Sequence, residues 1–300
     1  MKIAITTPSG HVGSATTDIL LGMGKDFDVI LLGRRPKNLE RFVQRGAGTV
    51  IGAQDDANYL IRATRRCDAL LWVTPPGYGS DHLRAFQGRL AKAGAEACRT
   101  NKIGRVVNLS SMGAQSDAQA GPISGLRDVE NILNEAAGNI LHLRPGFFFE
   151  NLLSQLDPIR KWGRISLPLS GSTRFPMIAT RDIGRAAAKW LADGSWTGQK
   201  SLELHGPVDL SFDEVAGILS DVLGRKISYV RCNPQQAREA IIGGGVSEDV
   251  ADQMLEMYDA VDKGRVRTAE PRSAETTTPT NLTEFAREVM LPMLAQPVAY

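Results

Sequence analysis

The sequence predicts an α/β fold in which a doubly wound parallel sheet is followed by a smaller, more irregular region. Short apolar runs alternate with amphipathic segments through the first half of the chain, and loops containing glycine or proline separate them. The apolar runs are continuous, which is typical of parallel strands that are buried on both faces. With 300 residues, of which 42% are hydrophobic, the chain is long enough to bury such a core.

Strand and helix signals alternate along the first half of the chain. Strands are expected at 2–6, 29–32, 49–51, 69–73, 105–109 and 140–143, and helices at 11–23, 39–43, 82–100 and 126–137. Residues 1–150 are therefore expected to form a Rossmann-like domain.

The second half of the chain has a different pattern. Glycines and prolines interrupt it repeatedly, at Gly163, Pro168, Gly171 and Pro176. Helices are expected at 181–192, 211–223 and 248–261, and a capping box opens the second of them. The polar, Thr- and Pro-rich stretch 270–280 is expected to be mobile. Residues 151–300 are thus predicted to form a smaller α/β substrate-binding region that partly returns to the core.

The charge balance argues against polyanionic and membrane partners. The chain has 35 Lys and Arg against 33 Asp and Glu, a net charge of +2, whereas nucleic-acid and membrane-surface binders need a strong basic excess. No apolar stretch approaches the roughly 18 residues of a membrane span, and residues 1–6 are predicted to be a strand rather than a signal peptide. We therefore expect neither nucleic acid nor membrane as a partner.

The cysteines point to no metal site or disulfide framework. Cys67, Cys98 and Cys232 are far apart and odd in number, and none has a second ligand at metal-binding spacing. They are expected to be small, buried or half-buried apolar residues of a protein in the reducing cytoplasm.

The loop after the first strand is the first candidate binding site. It lies between a strand and a helix, where a dinucleotide pyrophosphate would meet the free N–H groups at the helix start. Gly10 would let the backbone approach phosphate, and Gly13 would let the helix pack closely, although Thr7 stands where a first glycine is expected and Pro8 has no N–H group. A plain tight turn is the alternative. The residues assigned to the cofactor here are Thr7, Ser9, Gly10, His11, Val12 and Gly13.

The end of the second strand favours a phosphorylated cofactor. An NAD site usually has an acidic residue about 20 residues after the glycine loop, but Gly33-Arg34-Arg35 occupies this position and Lys37 follows. Residues 34–45 contain five basic residues and one acidic residue, Glu40. Because arginine binds phosphate in a bidentate manner, we predict NADP(H) rather than NAD(H), with Arg34 as the main clamp. The alternative is a solvated basic helix start.

Further residues are assigned to the cofactor from their place in the predicted fold. Thr74, Pro75 and Pro76 follow the fourth strand, at the sheet edge where a cofactor ribose would lie, although proline also simply ends strands. Pro145 follows the strand at 140–143 and is assigned to the same edge.

Several motifs together resemble the NmrA-like atypical short-chain dehydrogenases. They are the glycine loop, Leu32-Gly33-Arg34-Arg35-Pro36, Val107-Asn108-Leu109-Ser110-Ser111, Glu130, Leu143 to Leu152 (LRPGFFFENL), Ala179 to Gly184 (ATRDIG) and Leu202 to Pro207 (LELHGP). The resemblance covers residues 1–231. Members of that family include NAD(P)H-dependent quinone oxidoreductases, isoflavone-reductase-like enzymes and a non-catalytic dinucleotide sensor, so the resemblance implies one of these functions.

The resemblance also identifies a missing pair of residues. A typical short-chain dehydrogenase has a Tyr and a Lys four residues apart, and the Lys lowers the pKa of the Tyr that protonates the substrate carbonyl. Counting back from Glu130 places the Lys position at Leu126 and the Tyr position at Pro122. Neither side chain can transfer a proton, so the usual carbonyl-reductase mechanism is not expected.

Other candidates would have to act on the substrate. Ser110, Ser111, His11 and Asn151 are the candidate catalytic or substrate-contacting residues, and turn-forming or solvated roles are the alternatives. An apolar pocket that accepts an aromatic substrate is predicted, with ordinary core packing as the alternative for each member. Its predicted members are Phe147, Phe148, Phe149, Trp162, Met177 and Tyr258. His142 lies in a buried strand and is predicted to be structural.

Three functional hypotheses follow. The leading one is an oxidoreductase that transfers a hydride from NADPH to a small conjugated or aromatic carbonyl compound such as a quinone. The others are an NADP(H)-sensing regulator without turnover and a non-redox enzyme that catalyses a cyclisation or isomerisation. A small-molecule substrate is the expected partner. Homodimers are common in folds of this kind, but no surface pattern in the sequence fixes an interface.

Overall fold

The computed structural model describes residues 1–24 and 26–296, and within them seven parallel strands form a central sheet. The strands of the chain are β1 (Lys2–Thr6), β2 (Asp28–Gly33), β3 (Gly48–Ile51), β4 (Ala69–Val73), β5 (Arg105–Leu109), β6 (Ile140–Pro145), β7 (Phe147–Phe148), β8 (Arg164–Leu167), β9 (Phe175–Ile178), β10 (Gln199–Leu204), β11 (Asp209–Leu210) and β12 (Ser228–Arg231). The central sheet has the order β10-β6-β5-β4-β1-β2-β3. The predicted doubly wound parallel sheet is confirmed.

Helices cover both faces of this sheet. The helices are α1 (His11–Gly22), α2 (Glu40–Val43), α3 (Ala57–Ala63), α4 (Leu83–Asn101), α5 (Pro122–Asn134), α6 (Leu156–Trp162), α7 (Thr180–Ala192), α8 (Phe212–Leu223), α9 (Pro234–Gly243), α10 (Glu248–Asp262), α11 (Leu282–Phe285) and α12 (Leu291–Ala295). A 3-10 turn at Phe149–Gln155 precedes α6, and a π-helical turn at Ala286–Met290 joins α11 to α12. α1 and α7 pack on one face, and α3, α4 and α5 on the other.

Two elements that follow residue 150 belong to the first half's architecture: β10 is a strand of the central sheet, and α7 is a helix that covers it. β10 pairs with β6 in parallel along its whole length. α7 approaches α1 closely, since a Cβ atom at Gly184 would lie 2.6 Å from the Cβ atom of Ala15. The second half of the chain therefore supplies both an outer strand of the main sheet and one of its covering helices.

The remainder of the second half forms its own core. β7, β9 and β11 make a small sheet, and β8 pairs with β12 in another. The predicted capping box of α8 is present: Ser211 Oγ accepts a hydrogen bond from the N–H of Glu214, and Glu214 Oε2 accepts one from the N–H of Ser211. Gly224, with φ of +61°, ends this helix in the left-handed conformation that glycine favours.

The polar segment 270–280 is hydrogen-bonded to the main sheet and its covering helix. The backbone of His205, just after β10, donates to Thr276 and accepts from Thr278, each at 2.8 Å. The N–H of Thr280 donates to Asp182 Oδ2 in α7 at 2.9 Å. The composition of the segment indicated mobility, but it did not reveal these partners. As far as residues 1–24 and 26–296 are concerned, no helix is both long and apolar enough to cross a membrane.

His142, predicted to be structural, lies in a buried polar cluster between the sheet and α5. Its Nδ1 lies 2.9 Å from Asn108 Nδ2, and its Nε2 lies 3.0 Å from Asn134 Oδ1. With Asn108 donating, Nδ1 is unprotonated and Nε2–H donates to Asn134. Burial lowers the pKa of His142 from 6.5 to about 4, so the folded protein holds the neutral ring.

This lowered pKa predicts a loss of stability in acid. Because the unfolded chain binds a proton near pH 6.5 and the folded chain only near pH 4, the free energy of unfolding should fall as pH decreases through this window. Over the whole window, the free energy of unfolding should fall by about 3 kcal/mol. Urea unfolding at a series of pH values measures it. His142→Gln should flatten the curve between these pH values, whereas the exposed His82→Gln should leave it unchanged.

Candidate active site

The carboxyl edge of the central sheet opens onto a cavity of about 530 Å³. The strand order reverses between β1 and β4, and ligands of doubly wound folds bind at such a reversal point. The cavity is lined by the loops after β4 and β5, by the junction after β6 and by one face of α10.

The N-terminal half of α10 is attached to the segments that follow β4 and β5. The N–H of Ser247 donates to the carbonyl of Tyr78, and the N–H of Leu83 donates to Asp249 Oδ2, both at 2.8 Å. Gly121, with φ of +52°, lies against α10 so closely that a Cβ atom there would be 1.9 Å from the carbonyl oxygen of Gln253. α10 therefore forms a wall of the cavity that belongs to the second half of the chain.

The glycine loop keeps a left-handed turn even though Thr7 replaces a glycine. Thr7 has φ of +50°, a conformation that costs a β-branched residue roughly 1–2 kcal/mol. Its Oγ1 lies 2.9 Å from the carbonyl oxygen of Val73 and 3.2 Å from Gln54 Oε1. These contacts hold the threonine in the conformation that a glycine would adopt freely.

Gly13 and the start of α1 fit a phosphate group. A Cβ atom at Gly13 would lie 2.3 Å from the carbonyl oxygen of Thr7, so no side chain fits between the helix and the loop. The N-cap residue of α1 is Gly10, so the helix has no side-chain cap, and its first turn contains no acidic residue. Uncapped N–H groups at a helix start bind anions.

The basic residues after β2 divide into two groups. Arg41 and Arg45 form ion pairs with Asp18. Arg34, Arg35 and Lys37 are exposed, and within the part of the chain that the structure describes none of the three has an acidic partner. These three side chains are therefore free to bind a 2′-phosphate, and with the glycine loop they fit NADP(H).

We expect the Arg34→Ala/Arg35→Ala double variant to weaken NADPH binding by roughly 100-fold or more, because each of the two lost charge-assisted hydrogen bonds contributes about 1.5–3 kcal/mol. NADH binding should change little, since NADH lacks the 2′-phosphate. Titrating the two cofactors by nicotinamide fluorescence measures this. Arg41→Ala is the matched control, because Arg41 pairs with Asp18. Equal losses for NADPH and NADH would contradict the assignment.

Many of the residues singled out from sequence line the cavity. They are His11, Thr74, Pro75, Pro76, Ser110, Ser111, Pro145, Phe147, Phe148, Asn151 and Tyr258. The other cofactor candidates lie outside this lining, in the loop after β1, in the first turn of α1, and at or just beyond the end of β2: Thr7, Ser9, Gly10, Val12, Gly13, Gly33, Arg34, Arg35 and Lys37.

Three predicted pocket residues are corrected by the structure. Phe149 is buried in the core of the second half, where its ring lies 5.5 Å from that of Phe285, because the 3-10 turn that it begins points it away from the cavity. Met177 is fully buried in β9. Trp162 ends α6 on the surface with 61% of its area exposed, and the guanidinium of Arg164 stacks on its ring. None of the three lines the cavity.

Sequence reasoning missed most of the α10 wall. Val250, Met254, Met257 and Val261 line the cavity together with Tyr258. Their spacing is that of one apolar helix face, and this pattern was the available signal within a helix already predicted at 248–261. Tyr78 and Glu150 are further lining residues that the sequence did not single out.

The polar side chains that line the cavity differ in their hydrogen-bond partners. Glu150 accepts hydrogen bonds from the N–H of Thr180 at 3.0–3.1 Å, and so caps the start of α7. Ser110 is buried, and among the described residues its Oγ has no hydrogen-bond partner. Burial raises the pKa of Tyr258 to about 12, so its phenol stays protonated and can donate to a substrate. The sites of the missing Tyr and Lys, Pro122 and Leu126, also line the cavity.

A buried ion pair lies next to this wall. Arg144 donates to Glu130 through Nε at 2.9 Å and through Nη2 at 2.6 Å. Burial alone would raise the pKa of Glu130, but the hydrogen bonds from Arg144 and the positive charge of its guanidinium outweigh burial and hold this pKa below its ordinary value. The pair links α5 to the end of β6, beside Pro145.

The sheet order, the uncapped helix start and the free basic cluster together define a dinucleotide-binding protein of the Rossmann class. The sequence model of the NmrA-like family matches residues 1–286. The chain belongs to the NmrA-like family, as the sequence motifs predicted.

Individual relatives agree with this assignment. The chain is 28% identical over 256 residues to the NAD(P)H azoreductase of Xenophilus azovorans, which covers 85% of this chain and 86% of the relative. Two solved structures share the fold. The Citrobacter sp. triphenylmethane reductase complexed with NADP(H) is 20% identical, with a TM-score of 0.81 over 95% of this chain and 99% of that one. The Escherichia coli NADPH-dependent quinone oxidoreductase complexed with NADPH is 18% identical, with a TM-score of 0.81 over 96% and 99%.

Proposed function

We propose that the protein is an NADPH-dependent oxidoreductase that reduces a small conjugated or aromatic acceptor, such as a quinone, without a Tyr/Lys dyad. The observation that carries this proposal is the continuity between the glycine loop and an apolar cavity. His11 is the first residue of α1 and also lines the cavity, so a cofactor held at the helix start would adjoin the acceptor.

NADPH supplies a hydride when it is bound. The residues of this chain bind and orient the reactants: Arg34 and Arg35 hold the phosphate end, while Phe147 and Phe148 present an apolar wall that excludes water. Ser110 and Tyr258 are hydroxyl groups that can donate to an acceptor oxygen. A quinone suits this site because its reduced anion is delocalised, so that water can protonate it afterwards.

The comparisons support this class of acceptor. The triphenylmethane reductase is described as acting on triphenylmethane dyes, the azoreductase is named for azo compounds and the quinone oxidoreductase for quinones, and all three are conjugated acceptors. The missing proton donor at Pro122 and Leu126 favours a second candidate, a regulator that senses NADP(H) without turnover.

The proposal is tested by incubating the protein with NADPH and a panel of quinones and measuring the loss of absorbance of the reduced nicotinamide. We expect NADPH oxidation that depends on the quinone and is lost in the Arg34→Ala/Arg35→Ala variant at low NADPH concentration. Tight NADPH binding with no turnover of any acceptor would support the sensor instead. A protein that binds no dinucleotide at all would support a non-redox enzyme.

A further inference from the structure

We propose that the protein has a second anion site, away from the cofactor loop, that binds an organic oligophosphate of the size of a nucleoside di- or triphosphate. The site lies between the C-terminal end of α3 and the strands β1, β2 and β3. The inference goes beyond the proposed function and does not depend on it, because no residue assigned to the cofactor lines this site.

A pocket of about 430 Å³ marks the site. Ile30 of β2 and Val50 of β3 supply apolar surface, together with Ala63 at the end of α3. Within residues 1–24 and 26–296, every charged side chain that lines the pocket is basic. These side chains are Lys2, Arg62, Arg65 and Arg66. The pocket thus combines an apolar surface with four cations.

The pocket and the glycine loop lie at opposite ends of β1. Lys2 is the first residue of this strand, and Thr6, its last residue, directly precedes the glycine loop. Because a strand rises about 3.3 Å per residue, the two ends are roughly 13 Å apart. Ligands of doubly wound folds bind at the carboxyl edge of the sheet, so the pocket stays accessible when that edge is occupied.

The three arginines of the pocket have no partners within the protein. Arg62, Arg65 and Arg66 are exposed, and in the part of the chain that the structure describes their guanidinium groups form neither ion pairs nor hydrogen bonds. Arg62 and Arg66 are four residues apart at a helix end, a spacing at which like charges repel. A group of unpaired basic residues is also the feature that fits Arg34 and Arg35 to a 2′-phosphate.

Two carboxylates near the pocket neutralise it only in part. Asp28 Oδ2 is 4.0 Å from Lys2 Nζ, and 61% of the Asp28 side chain is exposed. Asp68 Oδ2 accepts a hydrogen bond from the backbone N–H of Lys2 at 2.7 Å. Even when both carboxylates are counted, the four basic side chains leave an excess of two positive charges. This excess attracts an anion.

The density of charge favours an oligophosphate over an acidic peptide. Successive side chains of an extended peptide point to opposite faces, so a pocket of this size would meet only one or two carboxylates. A di- or triphosphate brings about three or four negative charges into the same space, and its oxygens match the paired N–H groups of arginine. Ile30 and Val50 then contact the organic part of the ligand, and an arginine can stack on it where it is aromatic.

Arg66 lines the pocket in a conformation that is unfavourable for its backbone. Its φ is +61°, a left-handed conformation that glycine adopts freely and arginine does not. Arg66→Gly should therefore raise the Tm of the ligand-free protein by about 2 °C and at the same time weaken binding of the oligophosphate. A merely structural role of Arg66 would not predict a more stable variant that binds less well.

Calorimetric titration of ATP into the protein saturated with NADP⁺, in magnesium-free buffer, tests the site. We expect one ATP to bind per chain with a micromolar dissociation constant that rises with NaCl concentration, because salt screens the charges. Tripolyphosphate has no organic part and should bind roughly tenfold more weakly, the effect of about 55 Å² of apolar contact. Absence of ATP binding below millimolar concentrations, or tripolyphosphate binding as tightly as ATP, would overturn the proposal.

A double variant locates the bound ATP. Arg62→Ala/Arg65→Ala should weaken ATP binding by roughly 100-fold, about tenfold for each lost charge-assisted hydrogen bond. Arg267→Ala/Arg287→Ala is the matched control, because it removes two exposed arginines that lie outside the pocket. ATP binding that is unchanged in the first variant, or that falls equally in both, would show that these arginines do not form a specific site.

Discussion

Replacing Arg144 with methionine is expected to lower the free energy of unfolding by about 3–5 kcal/mol, the cost of leaving a buried charge without its partner. Glu130 keeps only 5% of its side chain exposed, and Arg144 gives it two hydrogen bonds. Without Arg144, burial would raise the pKa of Glu130, so the folded variant would have to bury an unpaired carboxylate at neutral pH or take up a proton. Urea unfolding measures the loss.

The pH dependence and a double variant identify the cause. The wild-type protein loses the contribution of the pair as pH falls through the lowered pKa of Glu130, so the difference between wild type and Arg144→Met should shrink in acid. Glu130→Leu/Arg144→Met removes both charges and should recover most of the lost stability. A double variant as unstable as the single one would show that lost packing, rather than the unpaired charge, is responsible.

The second large effect is expected at Gly13. An alanine Cβ atom there would lie 2.3 Å from the carbonyl oxygen of Thr7, 3.0 Å from its carbonyl carbon and 3.1 Å from the Cα atom of Pro8. Since all three neighbours are backbone atoms, the loop itself must move. We expect Gly13→Ala to lose about 2–3 kcal/mol of stability and to weaken NADPH binding by roughly 30-fold or more. Denaturant unfolding and cofactor titration measure the two effects.

The same helix provides the matched control for this prediction. Gly22 ends α1, and a Cβ atom there would meet nothing within 4 Å. Gly22→Ala should therefore leave NADPH binding unchanged and stabilise the protein by about 0.5 kcal/mol through the lower entropy of its unfolded chain. If Gly13→Ala binds NADPH as well as Gly22→Ala does, the close contact between α1 and the loop is not needed for the cofactor.

The central sheet could be predicted from sequence because its strands are continuous apolar runs. The six strands expected in the first half match β1 to β6 to within two residues at each end. The membership of β10 in the main sheet was not predicted, because its first three residues, Gln199, Lys200 and Ser201, are polar and exposed at the edge of the sheet. Its pairing with β6 is a tertiary contact that no local pattern reveals.

The candidate site was predictable where it follows strand ends and was missed where it depends on side-chain direction. The residues after β4, β5 and β6 reach the cavity because the carboxyl ends of parallel strands share one edge. Phe149 differs from Phe147 and Phe148 because a 3-10 turn begins at it. Trp162 ends α6 on the protein surface, away from the cavity, and the aromatic character of a residue does not reveal its position in the fold.

Thr7 shows how tertiary contacts override a local rule. A missing glycine argued against the loop, because a β-branched residue disfavours positive φ. The contacts of its Oγ1 with Val73 and Gln54 come from distant parts of the chain. The conformation of the loop was therefore decided by residues that the motif does not include.

The return of α7 and β10 to the main sheet has a consequence for biosynthesis. A nascent chain that has emerged only as far as residue 150 would leave the outer edge of β6 unpaired and the face of α1 uncovered. An unpaired strand edge is a template for aggregation. The first half cannot complete its sheet until Leu204 has left the ribosome, and we expect a truncation product ending at residue 150 to be captured by chaperones or to aggregate.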